Sequence, residues 1–421
     1  MAEYRKRMVD DQLKEELEAF GAVVIVGPKW CGKTTTAKEF SKSIIYMQDP
    51  KKRETYIEMA QLNPSNLLKG ENPRLIDEWQ IIPQLWDAVR FEIDIRNEKG
   101  LYILTGSTAI NENSIIHSGA GRITRMRMRT MSLYESGDST GEVSLYDLFS
   151  NVENINGHSK LDIEDLARSI VRGGWPDSIG MDDRIVHKQI AGYCETILNS
   201  EITTVDGKKR DAQKMRAILR SLSRNVSTSA TKITVLKDIA TDETANMHLN
   251  TLDDYIDALR KIFVVEDLPA WSPKLRSKTV IRTSDKRQLT DPAIAAYFLG
   301  ANAKDLEFDP NTFGLLFESL VIRDIRVYAQ TLGGDVYHYR DKEGLEADAI
   351  IHLHDGRWCA LEVKLSSDKI DEAANNLNKL KRIIDTDIMN KPSFLAVITG
   401  TEFAYTRKDG VHVIPIGCLR D

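Results

Sequence analysis

The chain has 421 residues, enough for two or three domains that each bury a core. Its net charge of -6 excludes a surface that is basic all over, so any contact with nucleic acid would need a local patch. Four scattered cysteines, without a CxxC pair or a Cys/His cluster, argue against structural zinc and a disulfide framework. The charged first twenty residues, and the lack of any apolar run of about 18 residues, predict a cytoplasmic protein without a membrane span.

The first hundred residues alternate between helical and strand patterns. Residues 5–20 predict an amphipathic helix, and Ala22–Val26 is a short β-branched run with polar flanks, typical of a buried parallel strand. The alternation continues to residues 101–104, which indicates an α/β domain with a parallel sheet. A shift to Gly, Ser, Asn and Asp over residues 135–160 predicts a domain boundary, so we assign residues 1–150 to this domain.

A phosphate-binding loop follows the first predicted strand. Residues 27–34 match the pattern G-x-x-x-x-G-K-[ST], in which glycines let backbone amides turn towards phosphate oxygens and the next helix adds its positive dipole end. We expect Lys33 at the β and γ phosphates and the Thr34 hydroxyl on Mg²⁺. The choice between ATP and GTP stays open. The predicted nucleotide-binding residues are Gly27, Pro28, Lys29, Trp30, Cys31, Gly32, Lys33, Thr34 and Thr35.

Two further segments supply candidate catalytic groups. Residues 73–79 form a short apolar run that ends in two carboxylates. Asp77 is predicted to bind Mg²⁺ and Glu78 to activate the attacking water, although an acidic strand end facing solvent is the alternative. The next strand ends at Thr105 and Ser107, and we expect one of these hydroxyls beside the γ-phosphate as a sensor.

Arg122 is a candidate phosphate ligand. It follows the glycines of residues 119–121 and begins a predicted strand in which arginines alternate with methionines. Its side chain could reach a phosphate in its own subunit or, in a homo-oligomer, in a neighbouring one. The alternative is that this arginine and those at 125, 127 and 129 pair with surface acids.

Residues 151–300 read as a mostly helical segment with a basic part. Residues 208–290 contain 17 Lys and Arg against 10 Asp and Glu, in a chain that is acidic overall. Within that part, residues 233–239 and 252–262, followed by a short strand at 263–265, resemble a winged helix, whose second helix can enter the DNA major groove. DNA binding and a structural or partner-binding role both stay open, because that second helix carries three acids that phosphate would repel, namely Asp253, Asp254 and Asp257.

Residues 301–421 return to mixed helix and strand patterns and contain a charged constellation. Glu318 lies on a predicted helix and Asp348 enters an apolar strand, while Glu362 and Lys364 point to one side of the next strand. Charges in apolar strands are costly unless a metal or paired groups compensate them. We therefore predict that Asp348 and Glu362 bind Mg²⁺ or Mn²⁺, with Lys364 orienting the attacking water.

The order of these four residues resembles that of the PD-(D/E)xK nuclease family. The resemblance implies a catalytic role for each of the four in cutting a phosphodiester with a metal-activated water. Two alternatives remain, an inherited nuclease-like fold that no longer cuts and exposed ion pairs without function.

Taken together, the motifs resemble those of prokaryotic AAA-type ATP-binding proteins with a carboxyl-terminal domain of unknown function 4143. The resemblance spans nearly the whole chain and implies an ATPase domain, a winged helix and a restriction-endonuclease-like end, without a known substrate. The acidic second helix departs from this pattern. Besides the phosphate loop, the resemblance rests on IDEWQ at 76–80, LTGS at 104–107, AGR at 120–122, GGWP at 173–176, LTDP at 289–292, GLLFE at 314–318 and LEVK at 361–364.

The leading hypothesis is an ATP-dependent DNA-processing protein, in defence or mobile-element biology, whose ATP hydrolysis gates a metal nuclease. ATP, Mg²⁺ and a second divalent metal in the carboxyl-terminal domain are the expected cofactors. DNA is the expected partner, through the middle and carboxyl-terminal domains. The second hypothesis is an ATPase switch whose silent nuclease-like domain binds protein or nucleic acid without cutting.

Overall fold

The computed structural model describes residues 4–107, 118–150, 152–201, 207–240, 247–273, 284–384 and 389–421. It divides into two compact units, which are treated separately below. Unit 1 comprises Met1–Arg129 with Lys261–Phe263, and unit 2 comprises Thr130–Arg260 and Val264–Asp421. No helix in the described ranges combines the length and the apolar character that crossing a membrane requires.

Unit 1 is a five-stranded sheet with flanking helices. All its strands pair in parallel, in the order β2-β3-β4-β1-β5, which confirms the predicted α/β class. The strands are β1 Ala22–Val26, β2 Ser43–Tyr46, β3 Arg74–Asp77, β4 Tyr102–Gly106 and β5 Ile123–Arg127. The helices are α1 Val9–Ala19, α2 Lys33–Glu39, α3 Arg53–Leu62 and α4 Gln84–Arg96.

The apolar run of β1 is buried because helices cover both faces of the sheet. Ala22 and Val24 belong to a core that includes side chains of α4, whereas Val23 and Ile25 belong to a second core with residues of α1 and α2. Successive strand residues point to opposite faces, so a strand buried on both sides needs apolar residues at every position. This double burial holds β1 rigidly under the loop that follows it.

Unit 2 combines helices with a seven-stranded sheet of the order β7-β12-β13-β11-β10-β9-β8. The middle of this sheet is buried under α15, whose apolar side chains pack on β10 and β11. The helices are α5 Leu133–Ser136, α6 Leu145–Phe149, α7 Ile163–Arg172, α8 Asp183–Thr196, α9 Ala212–Arg224, α10 Lys232–Ile239, α11 Leu249–Lys261, α12 Pro292–Leu299, α13 Ala303–Phe308, α14 Pro310–Thr331 and α15 Ile370–Ile383. The strands are β6 Val143–Ser144, β7 Asn156–His158, β8 Gly334–Arg340, β9 Glu346–Leu353, β10 Trp358–Lys364, β11 Leu395–Thr399, β12 Phe403–Thr406, β13 His412–Pro415 and β14 Leu419–Arg420.

The first boundary lies earlier than the predicted residue 150, since unit 1 ends at Arg129. The reason is strand pairing over a long sequence separation. β6 pairs in parallel with β14, and β7 pairs antiparallel with β12. The Gly- and Ser-rich stretch between residues 135 and 160 therefore joins the carboxyl-terminal sheet, a partnership that its own composition does not reveal.

The predicted helix-turn-helix corresponds to α10 and α11, and residues 241–246 of its turn lie outside the described residues. Two isolated antiparallel bridges follow, Val265 with Leu289 and Leu268 with Lys286. These bridges replace the single strand predicted at residues 263–265. They bring Lys286 onto the body of unit 2.

A buried hydrogen-bond network around Asp291 explains two of the sequence motifs. The Asp291 carboxylate accepts from the Thr130 hydroxyl at 2.8 Å, the Gly174 amide at 3.0 Å and the Ala293 amide at 3.0 Å. The Arg323 guanidinium lies 3.3 Å away and also pairs with Asp324. A buried carboxylate is tolerated only when it is paired and hydrogen-bonded, so LTDP and GGWP are structural motifs that meet here.

The close approach at Gly174 gives a stability prediction. A Cβ atom there would lie 2.2 Å from the Met131 carbonyl oxygen, which is backbone and cannot move aside alone. We expect Gly174→Ala to lower the free energy of unfolding by roughly 1–3 kcal/mol, measured by urea denaturation. The matched control is Gly192→Ala, within α8, where a Cβ meets nothing within 4 Å. This control should be neutral or stabilising, because Gly is a poor helix former.

Candidate functional site

The phosphate-loop motif joins the end of β1 to the start of α2, as predicted. Gly27 has φ 153°, and a Cβ on it would lie 2.0 Å from the Met128 carbonyl oxygen. Only glycine allows this approach of the loop to the segment after β5. Lys33 is the first residue of α2, so the loop ends on the positive end of a helix dipole.

The Lys33 ammonium folds back over the loop. Its Nζ donates to the carbonyl oxygens of Gly27 at 2.9 Å and Pro28 at 2.8 Å, and the side chain is buried. Phosphate oxygens are stronger acceptors than these carbonyls because they are charged. The ammonium is therefore held at the loop, within reach of an anion bound there.

Asp77 collects donors from two neighbouring elements. The register pairs Asp77 with Thr105, so both lie at the carboxyl edge of the sheet. Asp77 Oδ1 accepts from the hydroxyls of Thr34 at 2.6 Å and Thr105 at 2.8 Å, and Oδ2 accepts from Gln48 Nε2 at 3.2 Å. A hydroxyl and a carboxylate this close are hard oxygen donors, so the pair of Thr34 and Asp77 fits Mg²⁺.

Glu78 adopts an unusual backbone conformation beside this cluster. Its φ of 54° is left-handed, which costs a non-glycine residue roughly 1 kcal/mol. The Glu78 amide donates to Thr105 Oγ1 at 3.3 Å, while Gln80 Nε2 and Ser107 Oγ donate to the Glu78 carboxylate. The turn therefore directs a second carboxylate next to Asp77, where a general base is expected.

Arg122 lies at the opposite edge of the sheet from the phosphate loop. β1 and β5 are parallel, with Ala22 beside Ile123 and Val26 beside Arg127, so Arg122 is roughly 16 Å from the loop along the strand. Its Nε donates to Asp94 Oδ1 at 2.7 Å, and the side chain is 50% exposed. Within one chain Arg122 therefore does not meet Lys33, and its ion pair corresponds to the alternative of surface pairing.

Arg7 is a contributor that the sequence did not single out. Its Nη1 donates to the Cys31 carbonyl at 2.6 Å and its Nη2 to the Arg129 carbonyl at 2.9 Å. The side chain is buried, although the two preceding residues, Arg5 and Lys6, are charged and exposed. One guanidinium thus ties the phosphate loop to the last residue of unit 1. No sequence pattern distinguishes this arginine from the others near it.

In unit 2, the four charged residues of the nuclease-like constellation do come together. Glu318 lies on α14, Asp348 on β9, and Glu362 with Lys364 on β10. Lys364 Nζ lies 2.7 Å from Glu362 Oε2 and 3.5 Å from Asp348 Oδ2. Asp348 Oδ2 also accepts from the Val363 amide at 2.9 Å. Antiparallel pairing of β9 with β10 brings these groups together, as the strand pattern predicts.

A fifth residue, Lys286, completes this cluster and was missed from the sequence. Its Nζ lies 2.9 Å from Glu318 Oε1 and 2.9 Å from Asp348 Oδ1. Lys286 stands in a polar stretch without strand or helix periodicity, so no pattern points to it. The ammonium lies between the carboxylates of Glu318 and Asp348, one of which, Asp348, is a predicted metal ligand.

Burial and charge set the protonation of the cluster. Burial raises the pKa of Glu318 to about 7, and burial together with Asp348 raises the pKa of Glu362 to about 8. Burial opposes the ionised form of Asp348, but Lys286 and Lys364 outweigh it and hold its pKa well below the usual range. Burial likewise opposes a charged Lys286, yet Asp348 and Glu318 raise its pKa. The central contact is a lysinium paired with a carboxylate.

A divalent metal does not fit this arrangement. The position between Glu318 and Asp348 is filled by an ammonium, and the other Asp348 oxygen faces a backbone amide and Lys364. Across the described ranges, no group of three or more His, Cys, Asp or Glu side chains is arranged to hold a metal ion. The predicted metal ligands Asp348 and Glu362 both lie against the Lys364 ammonium instead, at 3.5 and 2.7 Å.

Helix α11, the second helix of the predicted winged helix, is buried along one face and exposed along the other. Five of its apolar residues are buried, from Leu252 to Leu259, and its three acids have cationic neighbours. Asp253 lies 2.7 Å from Lys232, Asp254 lies 2.7 Å from Lys208 and 2.9 Å from Arg210, and Asp257 lies 2.9 Å from Arg260. These ion pairs offset the acidic charge of the helix but also occupy the basic residues that would contact DNA phosphates.

Three family models match successive parts of the chain. An AAA domain matches residues 19–136, a domain of unknown function (DUF8612) matches residues 163–305, and a domain of unknown function (DUF4143) matches residues 313–419. A comparison with curated proteins gives no match.

Two solved structures are similar over part of the chain. The Walker-type ATPase PABY2304 of Pyrococcus abyssi has 11% identity and a TM-score of 0.35, covering 69% of this chain and 94% of that one. Drosophila ORC bound to DNA has 12% identity and a TM-score of 0.19, covering 69% of this chain and 84% of that one. Similarity at this level bears on neither activity nor partners. The family matches give the identification: this chain is an AAA-domain protein with a carboxyl-terminal DUF4143 domain.

Proposed function

We propose that this chain binds and hydrolyses ATP at the phosphate loop and acts as a regulatory switch, with a nuclease-like domain that does not cut. The observation that carries the first part is the pair of hydroxyls, from Thr34 and Thr105, that donate to Asp77 beside Lys33. That combination brings a phosphate-binding cation, a hydroxyl and a metal-binding carboxylate to one edge of a rigid sheet.

Each residue has a chemical role in this proposal. Lys33 offsets the negative charge that builds up on the β and γ phosphates during transfer, and the loop amides fix the phosphate position. Glu78 accepts the proton of the attacking water, and Thr105 holds Glu78 through the backbone amide. Mg²⁺, when bound by Thr34 and Asp77, supplies further neutralisation of phosphate charge.

Substitution of Lys33 and Glu78 separates binding from hydrolysis. Lys33→Ala should abolish ATP hydrolysis, because it removes the ammonium that is expected to offset the charge of the β and γ phosphates. Glu78→Gln should retain binding of Mg-ATP but slow hydrolysis by roughly 10²–10⁴-fold, since only proton transfer is lost. Phosphate release and calorimetry measure the two properties. The control, the exposed Lys69→Ala, should behave as wild type. Full turnover by Lys33→Ala would refute the assignment of the site.

Arg7 is proposed as a positioning residue for the phosphate loop. Without its guanidinium, the buried carbonyls of Cys31 and Arg129 each lose a charged donor, and a buried group left unsatisfied costs about 1–3 kcal/mol. The loop conformation that points its amides towards phosphate would then be less populated, which lowers the apparent affinity.

Arg7→Ala should therefore weaken Mg-ATP binding by about tenfold, measured by calorimetry on folded protein. Arg7→Lys should restore part of the affinity, because one ammonium can satisfy one of the two carbonyls. Arg5→Ala, which removes an exposed charge two residues away, is the matched control and should bind normally. Equal affinities for all three variants would contradict a positioning role.

A nuclease gated by ATP is the second candidate function. The convergence of Glu318, Asp348, Glu362 and Lys364 favours it, whereas the ammonium of Lys286 between two of the carboxylates favours a silent domain. Two cations already offset most of the negative charge of the cluster, which weakens its attraction for a divalent metal. The silent domain could still bind protein or nucleic acid, and DNA stays a proposed partner only in that sense.

Incubation with plasmid or single-stranded DNA plus Mg²⁺ or Mn²⁺, with and without ATP, distinguishes the two candidates. We expect no degradation by the wild-type chain under any of these conditions. Degradation that disappears in Lys364→Ala would establish the gated nuclease instead. Degradation that survives this substitution would come from a contaminant, and the assay would be repeated on cleaner protein until one of the two outcomes is reached.

A further inference from the structure

Lys286 reaches the nuclease-like cluster from outside the elements that carry the acids. Its backbone pairs with Leu268 through an isolated bridge, whereas Glu318 lies on α14 and Asp348 on β9. The bridge is made by two backbone hydrogen bonds, of 2.8 and 2.9 Å, so the position of the Lys286 backbone is fixed. A separate element thus delivers a cation between two carboxylates.

The contacts of Lys286 are those of an enclosed ion. The residue is 6% exposed, and its Nζ makes two ion pairs of equal length, 2.9 Å, to Glu318 Oε1 and Asp348 Oδ1. A bridging metal would use the same two oxygens. An exposed surface lysine would instead keep its ammonium in water and gain little from such pairs.

The charge balance of the cluster also indicates that Lys286 takes the place of a bound cation. The carboxylates of Glu318, Asp348 and Glu362 face the ammoniums of Lys286 and Lys364, which leaves one net negative charge when all five are ionised. Removing the Lys286 ammonium would leave two net negative charges in a site with little access to water. Buried carboxylates without compensation recruit a cation, take up a proton or lose stability.

We propose that Lys286 is a built-in counter-cation that occupies the divalent-metal position of the carboxyl-terminal domain. It makes the cluster complete without metal. A chain without this ammonium would take up Mn²⁺ or Mg²⁺ through the carboxylates of Glu318, Asp348 and Glu362. The inference deepens the silent-domain part of the proposed function and does not depend on ATP hydrolysis.

The test measures the binding of Mn²⁺ to the full chain without nucleotide. Calorimetry and the electron paramagnetic resonance signal of free Mn²⁺ report the binding. Lys286→Met keeps the length and apolar stem of the side chain but removes its charge. We expect this variant to bind one more Mn²⁺ ion than wild type. Its affinity for Mn²⁺ at the cluster should be at least about tenfold higher than that of wild type. Its melting temperature should rise with Mn²⁺, because a ligand that binds only the folded state stabilises it. The melting temperature of wild type should not change.

Two controls locate the binding. Lys286→Arg retains the positive charge and should behave as wild type. Lys286→Met combined with Asp348→Asn removes a ligand from the created site and should lose the additional Mn²⁺. If Lys286→Met does not fold, Lys286→Gln, which can still donate a hydrogen bond to one carboxylate, takes its place.

Two results would overturn the inference. One is a wild-type chain that binds Mn²⁺ tightly and loses it on Asp348→Asn. The other is a folded Lys286→Met or Lys286→Gln chain that binds no more Mn²⁺ than wild type. ATP turnover measured on the same preparations keeps the two proposals apart, because an inactive wild-type ATPase would refute the proposed switch and leave the metal result unaffected.

Discussion

The Asp77 carboxylate is the group on which the organisation of the proposed nucleotide site depends. It lies at the end of β3 and accepts hydrogen bonds from the hydroxyls of Thr34 on α2 and Thr105 on β4. A third hydrogen bond comes from Gln48. Parallel pairing makes this possible, because the carboxyl ends of neighbouring strands lie at one edge of the sheet. Three donors fix the position of this buried carboxylate, and they link the phosphate loop to the ends of β3 and β4.

Two buried acids of unit 2, Asp291 and Asp348, also need hydrogen-bond donors or cations around them, but the two are surrounded differently. Asp291 gathers Thr130, Gly174 and Arg323, which joins distant parts of the sequence into one core. Asp348 gathers two lysines and a backbone amide. In both cases cations reach the buried carboxylate and offset the cost of burying it.

Strong local signals predicted much of this correctly. The alternation of apolar runs predicted the parallel sheet of unit 1, and the apolar strand predicted at Asp348 corresponds to β9. The motif of residues 27–34 predicted a loop between a strand and a helix. Local patterns are less informative for Arg122. Glycines followed by an arginine suggest a side chain that could reach a phosphate, but they do not show at which edge of the sheet the arginine lies.

The sequence by itself determined the α/β class of unit 1 and the position of the phosphate-loop motif, because these follow from periodicity and from fixed spacing within about ten residues. The tertiary structure alone decided the contacts of Arg7 and Lys286 and the pairing of β7 with β12. Those contacts join residues far apart in the chain, and a single charged side chain carries no local mark of its partner. Whether a buried carboxylate meets a lysine or a metal depends on that partner, which only the folded chain supplies.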